Sequence, residues 1–258
     1  MIIVNVPVEN GFGKTKGCKD APCKIMQGLF KTGKKYKTEE WDLEEKNLEE
    51  TQAIIFKEAL ELFKKNKDNN EKIIFLGGDH SISYPLIKSF RDVFPLSFLF
   101  VMDAHVDLME PMKEPSHEEW LRALVEQGLS SEDLILLGAR KIYNEEKEFL
   151  EKNKIKIFKK EDFIDFFDSK KFESLKEYDA VYLSLDVDVL DKSLMSATGY
   201  PEKNGIKSEE LKECLDKIFN LKNLKAMDIV EMNPEKDLNN KSLELLVDVI
   251  EEILKKEN

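Results

Sequence analysis

Six side chains in this 258-residue sequence have the types and spacing to hold metal ions: His80, Asp103, His105, Asp107, Asp186 and Asp188. Asp103, His105 and Asp107 stand at i, i+2 and i+4, and Asp186-Val187-Asp188 repeats the two-residue step. In extended backbone alternate side chains share a face, so each motif can aim its ligands at one point. Four aspartates gathered without counter-charge would repel, and some would have to stay protonated. Divalent cations remove that cost. An oxygen-rich set with two imidazoles suits Mn2+, Mg2+ or Fe2+ better than a thiolate-preferring ion. Two such cations roughly 3.5–4 Å apart can share one water and lower its pKa, which is the chemistry of a hydrolase.

Each motif has a plainer reading when taken alone. Gly77-Gly78-Asp79-His80-Ser81 is also a tight turn after a strand, and Asp186-Val187-Asp188 is also a solvated strand end. Asp103-Ala104-His105-Val106-Asp107 is harder to dismiss, because burying three ionisable groups without purpose is expensive. Two of the chain's three histidines fall inside these motifs, and the third is His117. Together the motifs describe one metal site.

The elements that must position these residues are legible as apolar runs bounded by polar ones. Strands are expected at Ile2–Pro7, Ile73–Leu76, Ser97–Met102, Leu134–Leu137, Ile155–Phe158, Ala180–Leu185 and Ala226–Val230. Helical periodicity marks Asn47–Lys65, Tyr84–Phe90, Glu118–Gln127, Glu145–Asn153, Glu161–Phe167, Ser208–Phe219 and Ser242–Lys256. This alternation predicts a three-layer α/β/α sandwich with a mainly parallel central sheet. With no linker or repeat, residues 1–258 are expected to form a single domain. In such sheets ligands bind beyond the carboxyl ends of the strands. Four runs lead directly into polar motifs at that end: Gly77–Ser81, Asp103–Asp107, Asp186–Asp188 and Glu231-Met232-Asn233-Pro234. The lysine-rich stretch Lys31–Lys46 is expected on the surface.

Composition narrows the setting. Forty basic against 52 acidic residues give a net charge of −12, which leaves no basic surplus for nucleic acid. No apolar run approaches the roughly 20 residues that span a bilayer, so no membrane partner is expected. Three cysteines, Cys18, Cys23 and Cys214, give no disulfide framework and point to the cytoplasm. A zinc site on Cys18 and Cys23 would lack further ligands nearby.

The sequence resembles the ureohydrolase superfamily of arginases, agmatinases and their relatives. The resemblance rests on Gly-Gly-Asp-His-Ser at 77–81, Asp-Ala-His-x-Asp at 103–107, Ser-x-Asp-x-Asp-x-x-Asp at 184–191, Gly199-Tyr200-Pro201-Glu202, and Glu231. Cys18–Leu29 is more faintly similar to the family's early Gly-Pro-x-x-Ile-Arg segment. The resemblance implies two Mn2+ ions: one held by His80, Asp103, Asp107 and Asp186, the other by Asp103, His105, Asp186 and Asp188. Asp107 would also serve catalysis, Glu231 would pair with a substrate guanidinium, and His117 would shuttle protons. The family's Ser-His-Gly here reads Ser116-His117-Glu118-Glu119, so His117 could instead cap the helix that follows. The two glutamates are expected to raise its pKa. A homo-oligomer, trimer or hexamer, is implied by the relatives.

The departures bear on substrate. The loop Leu108–Pro115 contains no Asn, Ser or Thr, and Lys141, Ile142 and Tyr143 stand where arginases place acidic residues for the α-amino group. An acidic and apolar mouth with Glu110 and Glu114 suits a small guanidine with a cationic or apolar tail, so an agmatinase-like reaction is expected ahead of an arginase. The alternatives are formimino or other amide hydrolysis at the same metal site, or a non-catalytic family member.

Overall fold

The computed structural model describes every residue except Gly11, Thr32, Asp42, residues 44–46, Asn70 and Asn258. Its strands are β1 (Ile2–Val6), β2 (Lys37–Glu40), β3 (Ile73–Gly77), β4 (Ser97–Met102), β5 (Leu134–Leu137), β6 (Ile157–Phe158), β7 (Ala180–Asp186) and β8 (Leu224–Val230). They form one eight-stranded sheet in the order β2-β1-β3-β8-β7-β4-β5-β6, and every pairing is parallel. The helices are α1 (Ala21–Phe30), α2 (Leu48–Asn66), α3 (Ser83–Val93), α4 (Trp120–Glu126), α5 (Asn144–Asn153), α6 (Phe163–Phe167), α7 (Lys170–Ser174), α8 (Ser208–Phe219) and α9 (Lys241–Leu254).

The two-residue period of the strands splits the core in two. Ile74, Leu76, Phe98, Phe100, Val181, Leu183, Met227 and Ile229 face one side, where they pack with α1, α6, α8 and α9. Ile73, Phe75, Leu99, Val101, Tyr182 and Ala226 face the other, against α2, α3 and α4. The chain is thus the expected three-layer α/β/α sandwich. β3, β8, β7 and β4 are apolar nearly throughout because both of their faces are covered.

Strand order is what builds the site. The four strands whose carboxyl ends carry polar motifs, β3, β8, β7 and β4, are the four central neighbours. Because they run parallel, their motifs emerge side by side on one edge. Neighbouring strands lie about 4.8 Å apart, which is within reach of short carboxylate and imidazole side chains.

β2 and α1 are not among the expected strands and helices, and only β2 lacks an apolar pattern. β2, Lys-Thr-Glu-Glu, is an exposed edge strand held by main-chain pairing to β1. Charged residues on an edge discourage pairing with a second chain, and they also hide the strand from a hydrophobicity pattern. It lies within the Lys31–Lys46 stretch expected on the surface, of which Thr32, Asp42 and residues 44–46 fall outside the described residues. α1 has Pro22 in its first turn, a favoured start, and buries Ile25, Met26 and Leu29. Among the described residues no helix is long and apolar enough to cross a membrane.

Candidate metal centre

One device recurs at three of the four strand ends. Asp79 Oδ1 accepts the Ser81 amide at 3.1 Å, Asp103 Oδ1 the His105 amide at 2.7 Å, and Asp186 Oδ1 the Asp188 amide at 2.8 Å. An aspartate that caps the amide two residues ahead closes a turn of its own. For Asp103 and Asp186 this leaves Oδ2 to point elsewhere. The convergence therefore comes from capped turns, not from the side-chain alternation of an extended strand: β4 ends at Met102, residues 187–189 form a short 3-10 turn, and Asp107 sits at φ 48°.

The freed atoms gather. His80 Nδ1 lies 3.3 Å from Asp103 Oδ2, 3.1 Å from Asp107 Oδ2 and 3.3 Å from Asp186 Oδ2. His105 Nδ1 lies 3.0 Å from Asp188 Oδ2 and 3.6 Å from Asp103 Oδ1. Two groups of ligand atoms each fall within 4.8 Å: His80, Asp103 and Asp186, and Asp103, His105 and Asp188. Asp103 belongs to both. The cluster also has orphans, since His80 Nδ1 and Asp103 Oδ2 are buried without a hydrogen-bond partner. A buried ring nitrogen and a carboxylate oxygen left without hydrogen-bond partners are costly unless positive charge, a proton or a metal ion, stands between them. The residues present fit a pair of divalent ions.

The electrostatics agree. Burial and then the Asp103 charge push the Asp107 carboxyl up to about 7. Burial, with the charges of Asp188 and Asp103, pushes Asp186 well above the usual carboxylate range. For His105 burial works downward, but the charge of Asp188 and the contacts to Asp103 and Asp188 outweigh it and hold the ring protonated. Without metal, protons neutralise this cluster, as bound cations would.

Behind the cluster, His80 is fixed by residues on the sheet. Its Nε2 lies 2.9 Å from Ser184 Oγ, and Ser184 donates to Asp228 Oδ1 at 2.7 Å. Asp228 Oδ2 also accepts from Tyr182 at 2.9 Å and from Ser83 at 3.1 Å. Ser184 and Asp228 are register partners on β7 and β8. On the far side Arg140 donates to the carbonyls of Asp188, Leu190 and Glu202, tying down the loop after β7. Asp188 Oδ1 in turn accepts the Ala104 amide at 3.1 Å.

Glu231 enters from β8 at φ 69°, a conformation unfavourable for glutamate. Its amide donates to Gly78 O at 2.7 Å, and its Oε1 accepts the His80 amide at 2.8 Å. A side chain at Gly78 would collide with the Val8 carbonyl, which explains the second glycine of the motif. Burial and then Asp79 hold the Glu231 carboxyl well above its usual range. A cationic substrate group would find it poised to ionise.

The cavity above the cluster is lined by His80, His105, Asp107, Asp186, Asp188, Glu231, Met109, His117, Glu118, Tyr143, Glu146 and Tyr200. None of these is Lys or Arg. Glu146 braces the wall, with both oxygens taken by the Leu108 and Tyr143 amides. Trp120 Nε1 donates to Asp107 Oδ2 at 2.7 Å.

The arginase family model matches residues 1–255. The chain belongs to the arginase family. An arginase of Staphylococcus aureus (strain MRSA252) is 30% identical over 203 residues, 71% of this chain and 67% of that enzyme. An N(1)-aminopropylagmatine ureohydrolase of Thermus thermophilus is 28% identical over 190 residues, 72% of this chain and 62% of the relative. Among solved structures, formimidoylglutamase from Bacillus subtilis matches with a TM-score of 0.87 at 22% identity, covering 99% of this chain and 86% of that one. These three names carry three different substrates.

The six residues read from the sequence as ligands of this arginase-family member come together, and His117 and Glu231 line the same cavity. Asp186 stands with the His80 group, while the second group is made by Asp103, His105 and Asp188. Asp191 is turned away, accepting from Ser193 and Gly205 to close its own loop. Two expectations need correction. Glu110 and Glu114 do not line the cavity: Glu114 pairs with Lys113 at 3.0 Å, and Glu118 is the acid at the mouth. The glutamates beside His117 do not raise its pKa. Burial, and then the positive charges at His80 and His105, push the imidazole down to about 4. Glu119 is turned inward and accepts from Ser116 Oγ at 2.5 Å, while Glu118 stays half exposed. Asn10, Trp120, Tyr200 and Asp228 are additions. None sits in a ligand-like spacing, and Asp228 lies within β8, where only its register pairing with Ser184 on β7 points to it.

Proposed function

We propose that this protein hydrolyses a C–N bond of a linear guanidine to release urea and an amine, with two divalent cations, Mn2+ by family resemblance. The observation that carries the reading is the pair of buried, unpartnered ligand atoms, His80 Nδ1 and Asp103 Oδ2, 3.3 Å apart at the centre of four carboxylates. His80, Asp103, Asp107 and Asp186 would hold one cation, and Asp103, His105, Asp186 and Asp188 the other. When bound, the cations supply Lewis acidity and lower the pKa of a shared water.

The chain's own groups do the rest. Glu231 binds the guanidinium through a charge-assisted contact and orients its carbon over the cluster. Asp107 holds a proton: Trp120 donates to Oδ2, and the proton taken from the attacking water sits on Oδ1. Asp107 or His117 returns it to the departing amine. Met109, Tyr143, Tyr200 and Glu118 surround the rest of the substrate. With no Lys or Arg among the lining residues and one acid at the mouth, this wall suits a tail that is apolar or positively charged, as in agmatine. The loop Leu108–Pro115 offers no hydroxyl or amide side chain for a substrate carboxylate. Residues 1–258 are read as one domain of a cytoplasmic homo-oligomer, trimer or hexamer, by analogy with the family.

The test is urea release from a panel of agmatine, guanidinobutyrate, arginine and formiminoglutamate, with and without Mn2+, for the wild type and Asp188→Ala. Mn2+-dependent urea from a guanidine, abolished in the variant, supports the proposal. Metal binding with no turnover anywhere on the panel overturns it, and formamide release would select the formimino reaction instead.

A further inference from the structure

His117 is the one histidine outside the metal cluster, and its surroundings fix more than its position. On one side of the ring stands Asn10, in the loop that follows β1. The Asn10 amide nitrogen donates to the buried Asp79 Oδ2 at 2.6 Å, which anchors the residue to the Gly-Gly-Asp-His-Ser turn. Its side-chain oxygen accepts the Phe12 amide at 2.8 Å. The oxygen being thus assigned, it is the NH2 group that meets His117 Nδ1, at 2.9 Å. An amide NH2 can only donate, so Nδ1 must accept.

On the other side, His117 Nε2 is buried with no hydrogen-bond partner. It faces the cavity, where Glu118 Oε1 is 3.7 Å away, beyond hydrogen-bond reach. The Tyr200 ring stacks on the imidazole with centroids 6.0 Å apart, and Lys14 Nζ lies over the Tyr200 ring, 5.1 Å from its centroid. His80 and His105 supply positive charge from the cluster.

We propose that Asn10 holds His117 as the neutral imidazole with its single proton on Nε2, so that the ring presents a hydrogen-bond donor to the substrate space. This rests on the reading of the cavity as a guanidine-hydrolysing site, and it narrows the role of His117 there. An imidazolium would need a proton on Nδ1, which would meet the Asn10 NH2 head-on unless that amide turned over and gave up the Phe12 contact. His117 therefore acts by donating a hydrogen bond from Nε2, and the proton that reaches the departing amine comes from Asp107. Asn10 is a positioning residue: it touches the histidine, not the substrate.

The chain's three histidines make the test tractable. Nitrogen-15 spectra of the full-length protein, stripped of metal and again loaded with diamagnetic Mg2+, report the tautomer and charge of each ring. The wild type should show His117 as the neutral Nε2–H form in both states at pH 7. Asn10→Ala should give a mixture of tautomers. Asn10→Asp places a carboxylate, which can only accept, against Nδ1 and should put a proton on that nitrogen, with the ring's protonation midpoint raised above its wild-type value. A wild-type His117 that carries its proton on Nδ1, or is charged at pH 7, overturns the proposal, as does a tautomer unchanged in Asn10→Ala. Activity separates this from the underlying reading. If the spectra behave as expected but His117→Ala turns over guanidines normally, Asn10 still sets the tautomer and the catalytic use of His117 is wrong.

Discussion

Removing one hydroxyl, in Ser184→Ala, should weaken metal binding without touching a ligand. Ser184 gives its proton to Asp228 Oδ1 at 2.7 Å, so toward His80 Nε2, 2.9 Å away, it can only accept. Nε2 thereby keeps its proton, which leaves Nδ1, facing the carboxylates, as the nitrogen that gives its lone pair to a cation when one binds. Without the hydroxyl, two buried groups lose their partner: the Nε2–H and Asp228 Oδ1. Each buried unsatisfied group costs about 1–3 kcal/mol, which bounds the loss of fold stability. What the metal feels is the freed tautomer and a looser ring. Loss of such an outer contact typically weakens affinity about 10–100-fold, or about 1.4–2.7 kcal/mol. Calorimetric titration of the stripped protein with Mn2+ should show one of two binding steps weakened by that factor. The group of Asp103, His105 and Asp188 should be affected less, since none of its atoms touches Ser184. A thermal melt of the stripped variant separates the two effects. If the melt falls while both Mn2+ affinities stay at wild-type values, the outer contact plays no part in presenting Nδ1 and the reasoning fails.

Other expectations follow from the same geometry. The stripped protein should lose stability as pH rises through about 7 and beyond. Asp107, pushed up to about 7, and Asp186 and His105, also raised, bind more protons folded than unfolded, so their contribution fades as pH rises. Saturating Mn2+ should remove this slope, and parallel melts with and without metal would show it; a slope of the opposite sign in the stripped protein would be inconsistent with the cluster described. Glu118→Gln should lower kcat/KM for agmatine about 1.5–5-fold, the effect of one half-exposed charge contact at about 0.2–1 kcal/mol, and leave guanidinobutyrate unchanged or improved. An equal loss on both substrates would remove Glu118 from tail recognition. Gly13→Ala should impair turnover, because Gly13 sits at φ 59° and an added methyl would meet the Tyr200 hydroxyl and approach His117 Nε2 at 3.2 Å. Retention of full activity would show that the His117–Tyr200 stack can shift freely.

Much of the site was legible because its ligands sit in short motifs at the ends of apolar strands. Asp103, His105 and Asp107 could be grouped by spacing alone, although the capped turns that aim them could not. The contacts that span the fold were out of reach. Asp228 reads as an ordinary polar residue within a strand until β8 is placed beside β7, and Asn10 meets His117 across 107 positions of sequence. The sequence suggests Glu110 and Glu114 for an acidic mouth, whereas the cavity selects Glu118, because loop direction is not encoded in a local pattern. β2 escaped because an exposed edge strand is held by main-chain hydrogen bonds, which leave no mark on hydropathy.

Anomalous diffraction at the manganese edge from crystals of the Mn2+-loaded protein tests the two-cation centre most directly. Two peaks roughly 3.5–4 Å apart, both in contact with Asp103, one against His80 and the other against His105, are the expected result. A single peak, or two peaks away from these residues, would contradict it.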